Sequence, residues 1–347
     1  MKKRIISLIL LITFTILITS GCSTTPASEQ TVWRFGHEEV VGGIQDIYAL
    51  EFKRLVEERT NGEITVEIYR AGEIGGVMDY LEFQQGGLLQ FSILNPGTTS
   101  TTVPENNVFY NHFLLPEEDE DIKEVLRTSK AIEMLNEINE RNEMKILDWF
   151  YEGFNAWTAD RAIRSPEDFR GVSIRTMASP LIVASYQAYN ANPTPMPYME
   201  VYTGLQLNQI DAQVNPIFAI QEMAFYEVQD YLIQARQDGF VAALVTNPDF
   251  FAELDPEMQE MIEEIALELN DYIFDVQDKL NKERLEMIKA ASDIEIIELT
   301  HEEREVFREA SASAREVFKR SVGDEGKEIL RILEEDSLRI MEESNNN

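Results

Sequence analysis

Two short segments constrain this chain more than any others: Ser165-Pro-Glu-Asp-Phe-Arg-Gly-Val-Ser-Ile-Arg175 and Ile210-Asp-Ala-Gln-Val-Asn-Pro216. The first opens with a capping serine and a proline at the first helical position, turns at Gly171, and enters a short apolar strand that ends on an arginine. The second is a short strand that ends on Asn215, which the following proline restricts to extended backbone. In an open α/β sheet the residues at the carboxyl ends of strands point into the crevice where ligands bind. A guanidinium and an amide at two such ends suit a small carboxylate. Arg175 can grip it through two parallel N–H bonds, and Asn215 can donate to the second oxygen or to a ring substituent. Spacing alone leaves the alternatives open: an ion pair with a nearby acid for Arg175, and plain turn chemistry for Asn215.

The rest of the chain alternates strands and helices, which argues for α/β architecture. Thr31 to Gly36 reads as a strand. Ile44, Tyr48, Phe52, Leu55 and Val56 share one helical face, and Asn61-Gly62 ends that helix. Ile64, Val66 and Ile68 alternate with polar residues, as in a half-buried strand. Further strands are expected at Gln90 to Leu94, Met144 to Trp149 and Phe240 to Thr246, and after Gly153 the pattern restarts. Asp255-Pro256 opens a helix whose apolar period continues to Lys289, about 50 Å at ~1.5 Å per residue. Thr300 with Glu303 forms a capping box for a terminal helix. At 347 residues the chain is larger than a single core comfortably serves, so two lobes are expected.

The first residues carry an address rather than a fold. Lys2, Lys3 and Arg4 precede an apolar stretch from Ile5 to Ile18, shorter than the ~20 residues a membrane-spanning helix needs. It ends in Thr19-Ser-Gly-Cys22, which contains the only cysteine of the chain. This reads as a lipoprotein signal with Cys22 as the lipidated first residue; simple secretion is the alternative. A lone cysteine excludes an internal disulfide. Ser23 to Gln30 reads as a flexible tether. The formal charge is −33; residues 1–21 hold three cations and no acid, so the remainder carries −36. Such a surface repels nucleic acid and anionic lipid and fits a saline habitat, where salt screens self-repulsion.

Catalytic signatures are missing from the sequence: it has no nucleophile elbow, phosphate loop or dinucleotide fingerprint. His37, His112 and His301 lie far apart, without metal-ligand spacing. The acids Glu117 to Asp121 read as partners of a helix dipole rather than a calcium site. No enzyme, metal or cofactor is expected.

With these segments in view, the chain resembles the solute receptors of tripartite ATP-independent periplasmic (TRAP) transporters, the DctP family. The likeness covers nearly the whole chain after the leader, including Trp33-Arg-Phe-Gly-His-Glu-Glu39, Tyr69-Arg-Ala-Gly-Glu-Ile-Gly75, the Arg175 and Asn215 segments, and Pro193 to Tyr202. Trp33 to Glu39, Ile174-Arg-Thr-Met177 and Pro193 to Tyr202 look most like the receptors for ectoine and hydroxyectoine, zwitterionic cyclic osmolytes. The resemblance implies a two-lobed α/β receptor with mixed sheets, a central cleft and a long helix touching both lobes. Residues 31–153 and 241–281 would form one lobe and 154–240 and 282–340 the other, after a signal peptide at 1–21 and a lipid-anchored tether at 22–30. Closure on a small carboxylate or zwitterion would precede docking on the membrane permease subunits, with a lipid anchor holding the receptor outside the cytoplasmic membrane.

The resemblance also implies roles. Glu39 takes the position of the acid that meets the cationic ring, and Tyr198 stands where the ectoine receptors have tryptophan. Ala219 stands where they carry an aromatic. Phe91, Phe218 and Trp157 are further candidates for an aromatic cage around a cation. Many organic-acid receptors of the family carry an arginine where this chain has Asn155, which makes the site less cationic. A receptor for a monocarboxylic acid and a ligand-sensing lipoprotein remain as alternatives.

Overall fold

The computed structural model describes residues 31–345. The expected signal peptide, Cys22 and the tether lie outside the described residues. The strands, in chain order, are β1 Thr31–His37, β2 Ile64–Tyr69, β3 Phe91–Leu94, β4 Lys145–Ala159, β5 Ser173–Thr176, β6 Asn192–Pro195, β7 Ala212–Pro216, β8 Tyr231–Gln234, β9 Gly239–Thr246 and β10 Glu295–Glu298. They are ordered β2-β1-β3-β9-β4-β7-β5-β6, with β8 pairing both β4 and β10. β1 runs parallel to β2 and β3, whereas β9 is antiparallel to β3 and β4. β5 is parallel to β6 and β7, so mixed pairing occurs on both sides of β4.

β4 joins the two halves. Its first part, from Lys145 to Phe154, pairs with β9; from Asn155 to Ala159 it pairs with β7, and from Trp157 to Ala159 also with β8. The sequence reads as a break at Gly153, but the backbone runs on as a strand whose register shifts between Tyr151 and Phe154. Gly153 supplies the bend, with φ at +118°, a region that suits glycine. A Cβ there would meet Asn281 Nδ2 at 2.5 Å.

Apolar periodicity places the helices. Ile44–Arg59 buries Ile44, Tyr48, Phe52, Leu55 and Val56, the face read from the sequence. The helix Pro256–Ala291 starts where Asp255 Oδ1 accepts from the Met258 N–H at 2.8 Å. Its 36 residues pack on Ile44–Arg59 and β4, and on Ile217–Glu222 beyond them. It therefore touches both sides of the molecule. Thr300 and Glu303 close the expected capping box of His301–Ser321. Ser165 caps only one 3-10 turn, Pro166–Phe169, because Gly171 turns the chain into β5 immediately afterwards.

The resemblance puts residues 282–340 in one lobe and 31–153 in the other; the last helix, Asp324–Asn345, packs against Asp119–Thr128 and Lys130–Glu140. Ile329, Leu330, Leu333 and Ile340 are its buried stripe, and Ser129 donates to Asp336 at 2.6 Å. An amphipathic stripe shows that a helix docks but not on which lobe. Among the described residues no helix is long and apolar enough to cross a membrane.

Candidate functional site

A cavity of about 600 Å³ lies where the ends of β1, β5 and β7 meet the turn around Tyr198. Small-molecule sites run from roughly 300 to 1,000 Å³. Its wall includes Glu38, Glu39, Arg175, Tyr198, Asn215 and Phe218, with Met177, Met196, Ala219 and Phe240 among its apolar members.

Arg175 lies in β5 between Thr194 of β6 and Gln213 of β7. It is 3% exposed, and its Nε donates to the carbonyl of Met196 at 2.9 Å. No carboxylate among the described residues pairs with it, so its two terminal nitrogens remain for a ligand. Burial lowers its pKa to about 10, against smaller opposing effects from Tyr198 and Tyr110. It stays cationic at neutral pH. Asn215 is held by a relay in which its Nδ2 donates to Gln213 Oε1 at 2.5 Å and Gln213 Nε2 donates to Thr158 at 3.0 Å. One amide hydrogen of Asn215 is left over.

The acidic side of the wall is larger than the sequence suggests. Glu39 Oε2 accepts from the backbone N–H of Gln45 at 2.8 Å, whereas its buried Oε1 has no partner. Gln45 is the organising residue. Its Oε1 accepts from the N–H of Glu38 at 2.9 Å and its Nε2 donates to Glu152 Oε1 at 3.1 Å. Glu222 accepts from the Tyr198 hydroxyl at 2.9 Å. A side chain at Gly43 would run into both Glu39 and Glu222, so that glycine gives the two carboxyls room to converge.

Burial pushes these acids up. Glu38 rises to about 7 despite hydrogen bonds from Thr98 and Asn95. Glu152 rises to about 8, and Glu222 to about 9 through burial and then the charge of Glu39. Glu39 is raised well above the usual range by burial and by Glu152. Glu38, Gln45, Glu152 and Glu222 escaped the sequence reading. The doublet Glu38-Glu39 at the end of β1 was the one available signal, since the other residues come from remote elements.

Phe91 and Trp157 do not reach the cavity. Phe91 is fully buried in an aromatic cluster, with ring centroids 4.9 Å from Phe52 and 5.2 Å from Trp33. Trp157 donates to the Tyr186 hydroxyl at 2.9 Å and packs edge-on to Phe169 at 4.9 Å. Both are core residues on strands whose alternation turns their rings away from the cleft. Each contributes about 1.5–3 kcal/mol of burial instead.

Arg161 and Arg164 are half-exposed and pair with Asp160 and Glu303. Of the acidic run, Glu117 pairs with Arg304 and Arg308, and Asp119 accepts from Tyr151 and Gln277. Among the described residues no three His, Cys, Asp or Glu side chains are placed to hold a metal ion.

Residues 35–321 match the family described as bacterial extracellular solute-binding protein, family 7. The chain is 37% identical over 326 residues to the ectoine-binding periplasmic protein TeaA of Halomonas elongata, covering 93% of this chain and 94% of that protein. It is 34% identical over 312 residues to the ectoine/5-hydroxyectoine-binding periplasmic protein UehA of Ruegeria pomeroyi, covering 89% and 91%. The solved structure of the ectoine-binding protein from the TeaABC TRAP transporter of H. elongata superposes with a TM-score of 0.86, over 89% of this chain and 99% of that one. The expected family and fold are thus borne out: this chain belongs to the family 7 bacterial extracellular solute-binding proteins, the extracytoplasmic solute receptors of TRAP transporters.

Proposed function

We propose that the receptor captures ectoine or hydroxyectoine and hands it to its membrane permease subunits. The observation that carries this reading is a single cavity whose wall holds a buried arginine without an acid partner and a buried glutamate with a free carboxyl oxygen. A zwitterion satisfies both at once. Its carboxylate goes to Arg175 and Asn215, and its cationic amidine ring goes to Glu39, with Tyr198 and Phe218 offering ring faces. Tyr198 lines the same cavity and feels the charges of Glu222, Glu39 and Arg175, which supports a role for it beside both ends of the solute. A dicarboxylate would bring its second charge against Glu39. Asn155 supports the same choice, because it donates to the buried Asp238 at 2.9 Å and adds no cation.

The lobes divide along β4, and we read Gly153 and the long helix as the parts that accommodate closure. Asn281 ties them together: its Oδ1 accepts from the Phe218 N–H at 3.0 Å and its Nδ2 donates to the Glu152 carbonyl at 2.8 Å. Binding without turnover and a lipid anchor on Cys22 complete the reading.

The test is Glu39→Gln, read by calorimetry against ectoine and against a simple monocarboxylate. Ectoine affinity should fall about 10- to 100-fold, as expected for losing a charged hydrogen-bond partner, while the anion is spared or improved. Equal losses for both would remove Glu39 from the cationic end.

A further inference from the structure

Glu39 does not stand alone behind the cavity wall. Glu152 is 0% exposed, Glu39 is 5% exposed, and Gln45 bridges them: its backbone N–H donates to Glu39 Oε2 and its Nε2 donates to Glu152 Oε1. Each keeps a buried oxygen, Glu39 Oε1 and Glu152 Oε2, without a hydrogen-bond partner, and each carboxyl shifts the proton affinity of the other. None of Glu38, Glu39, Glu152 and Glu222 forms an ion pair among the described residues. The cations nearby are engaged elsewhere. Arg70 pairs with Asp46 at 2.8 Å and Arg284 donates to Gln221 at 2.5 Å, near Glu222. Arg175 faces the carboxylate end of the cavity.

Two adjacent buried carboxyls without a cation cannot both ionise at reasonable cost. Most groups around the pair add to this. Glu38 adjoins it from the end of β1, Glu222 from Ile217–Glu222, and the phenols of Tyr110 and Tyr198 supply no positive charge. His37, whose Nε2 is turned toward Asp46, is buried and held neutral. The start of the helix Ile44–Arg59 favours an anion at Glu39 through the Gln45 N–H, which suffices for one charge rather than two.

We infer that Glu152 shares one proton with Glu39 in the empty cleft and that the cationic group of the solute displaces it, so that capture of one solute releases one proton. This rests on the zwitterion reading above. The O–H bond of the shared carboxyl breaks, its electron pair stays on the carboxylate, and the proton passes to solvent. The cation then meets a fully ionised pair. Glu152 is a specificity-determining positioning residue: it holds the pair at a single negative charge until a cation arrives, and a neutral analogue of the solute gains nothing from the exchange.

The experiment is calorimetric titration of the full receptor with ectoine near pH 7 in buffers of different ionisation enthalpy. The slope of heat against buffer enthalpy should give about one proton released per ectoine, and affinity should weaken about tenfold on lowering the pH by one unit. In Glu152→Gln the released proton should vanish while ectoine still binds. Ectoine binding without proton release in the unmodified receptor overturns the inference. If neither ectoine nor hydroxyectoine gives heat, the solute reading has failed, and infrared spectroscopy of the empty protein decides the remainder. A protonated-carboxyl band that loses one component in Glu152→Gln supports the shared proton; a band unchanged by that substitution overturns it.

Discussion

Arg175→Ala should weaken solute binding by at least about 30-fold, because removing a buried, hydrogen-bonded charge partner typically costs about 2–5 kcal/mol. The ligand carboxylate would otherwise lie against Met177, Met196 and Phe240 with only Asn215 to receive it. The fold should survive. Arg175 forms one bond to the protein, to the carbonyl of Met196, and no acid loses a partner when it goes. An unpaired buried cation is a cost to the empty protein, so the alanine variant should melt at the same temperature as its parent or higher. Arg175→Lys keeps the charge but loses the planar fork, and its affinity should fall between the two. The measurement is calorimetry paired with thermal melting. Near-parental affinity in the alanine variant would show that the carboxylate binds elsewhere.

The second large effect concerns pH, and its sign runs against ordinary acid denaturation. Burial raises Glu38 and Asp148 to about 7, Glu152 to about 8 and Glu222 to about 9, from usual carboxyl values near 4. Between those limits the folded chain binds more protons than the unfolded chain, so stability falls as pH rises. The buried histidines oppose this only in acid. His37 is held below its usual value and His112 is lowered to about 3, so above pH ~6.5 both are neutral in either state. From pH ~6.5 to ~9 the carboxyls therefore dominate, and the melting temperature of the empty receptor should drop by several degrees. A bound cationic solute should flatten that slope, since it stabilises the ionised acids. A melting temperature that rises over this interval would mean that the acidic wall is already ionised when empty.

Much of the architecture was legible because it rests on local chemistry. Asp255, Thr300 and Glu303 cap helices where their side chains say they should, and the apolar period of residues 258–280 extends into the 36-residue helix. Arg175 and Asn215 were legible for a related reason: a polar residue ending an apolar strand has one natural place to point. What escaped depends on remote partners. Gly153 looks like a stop, yet β4 continues through it because β9 holds one part of the strand and β7 the other. The pairing of β8 with β10 joins segments about sixty residues apart, each only four residues long. Phe91 and Trp157 carry the right side chains for a cage, but the face of the strand sent them into the core. Glu152 and Glu222 looked like two more acids in a chain with 63 of them, until folding set them behind Glu39.

The most direct test of the central claim is calorimetric titration of the mature receptor, unfolded and refolded to strip any carried-over ligand, with ectoine, hydroxyectoine and a panel of monocarboxylic acids. Tight binding of an ectoine with no response to the acids is the predicted result. Binding to an acid alone would keep the transporter receptor and contradict the zwitterion site of Glu39, Arg175 and Asn215.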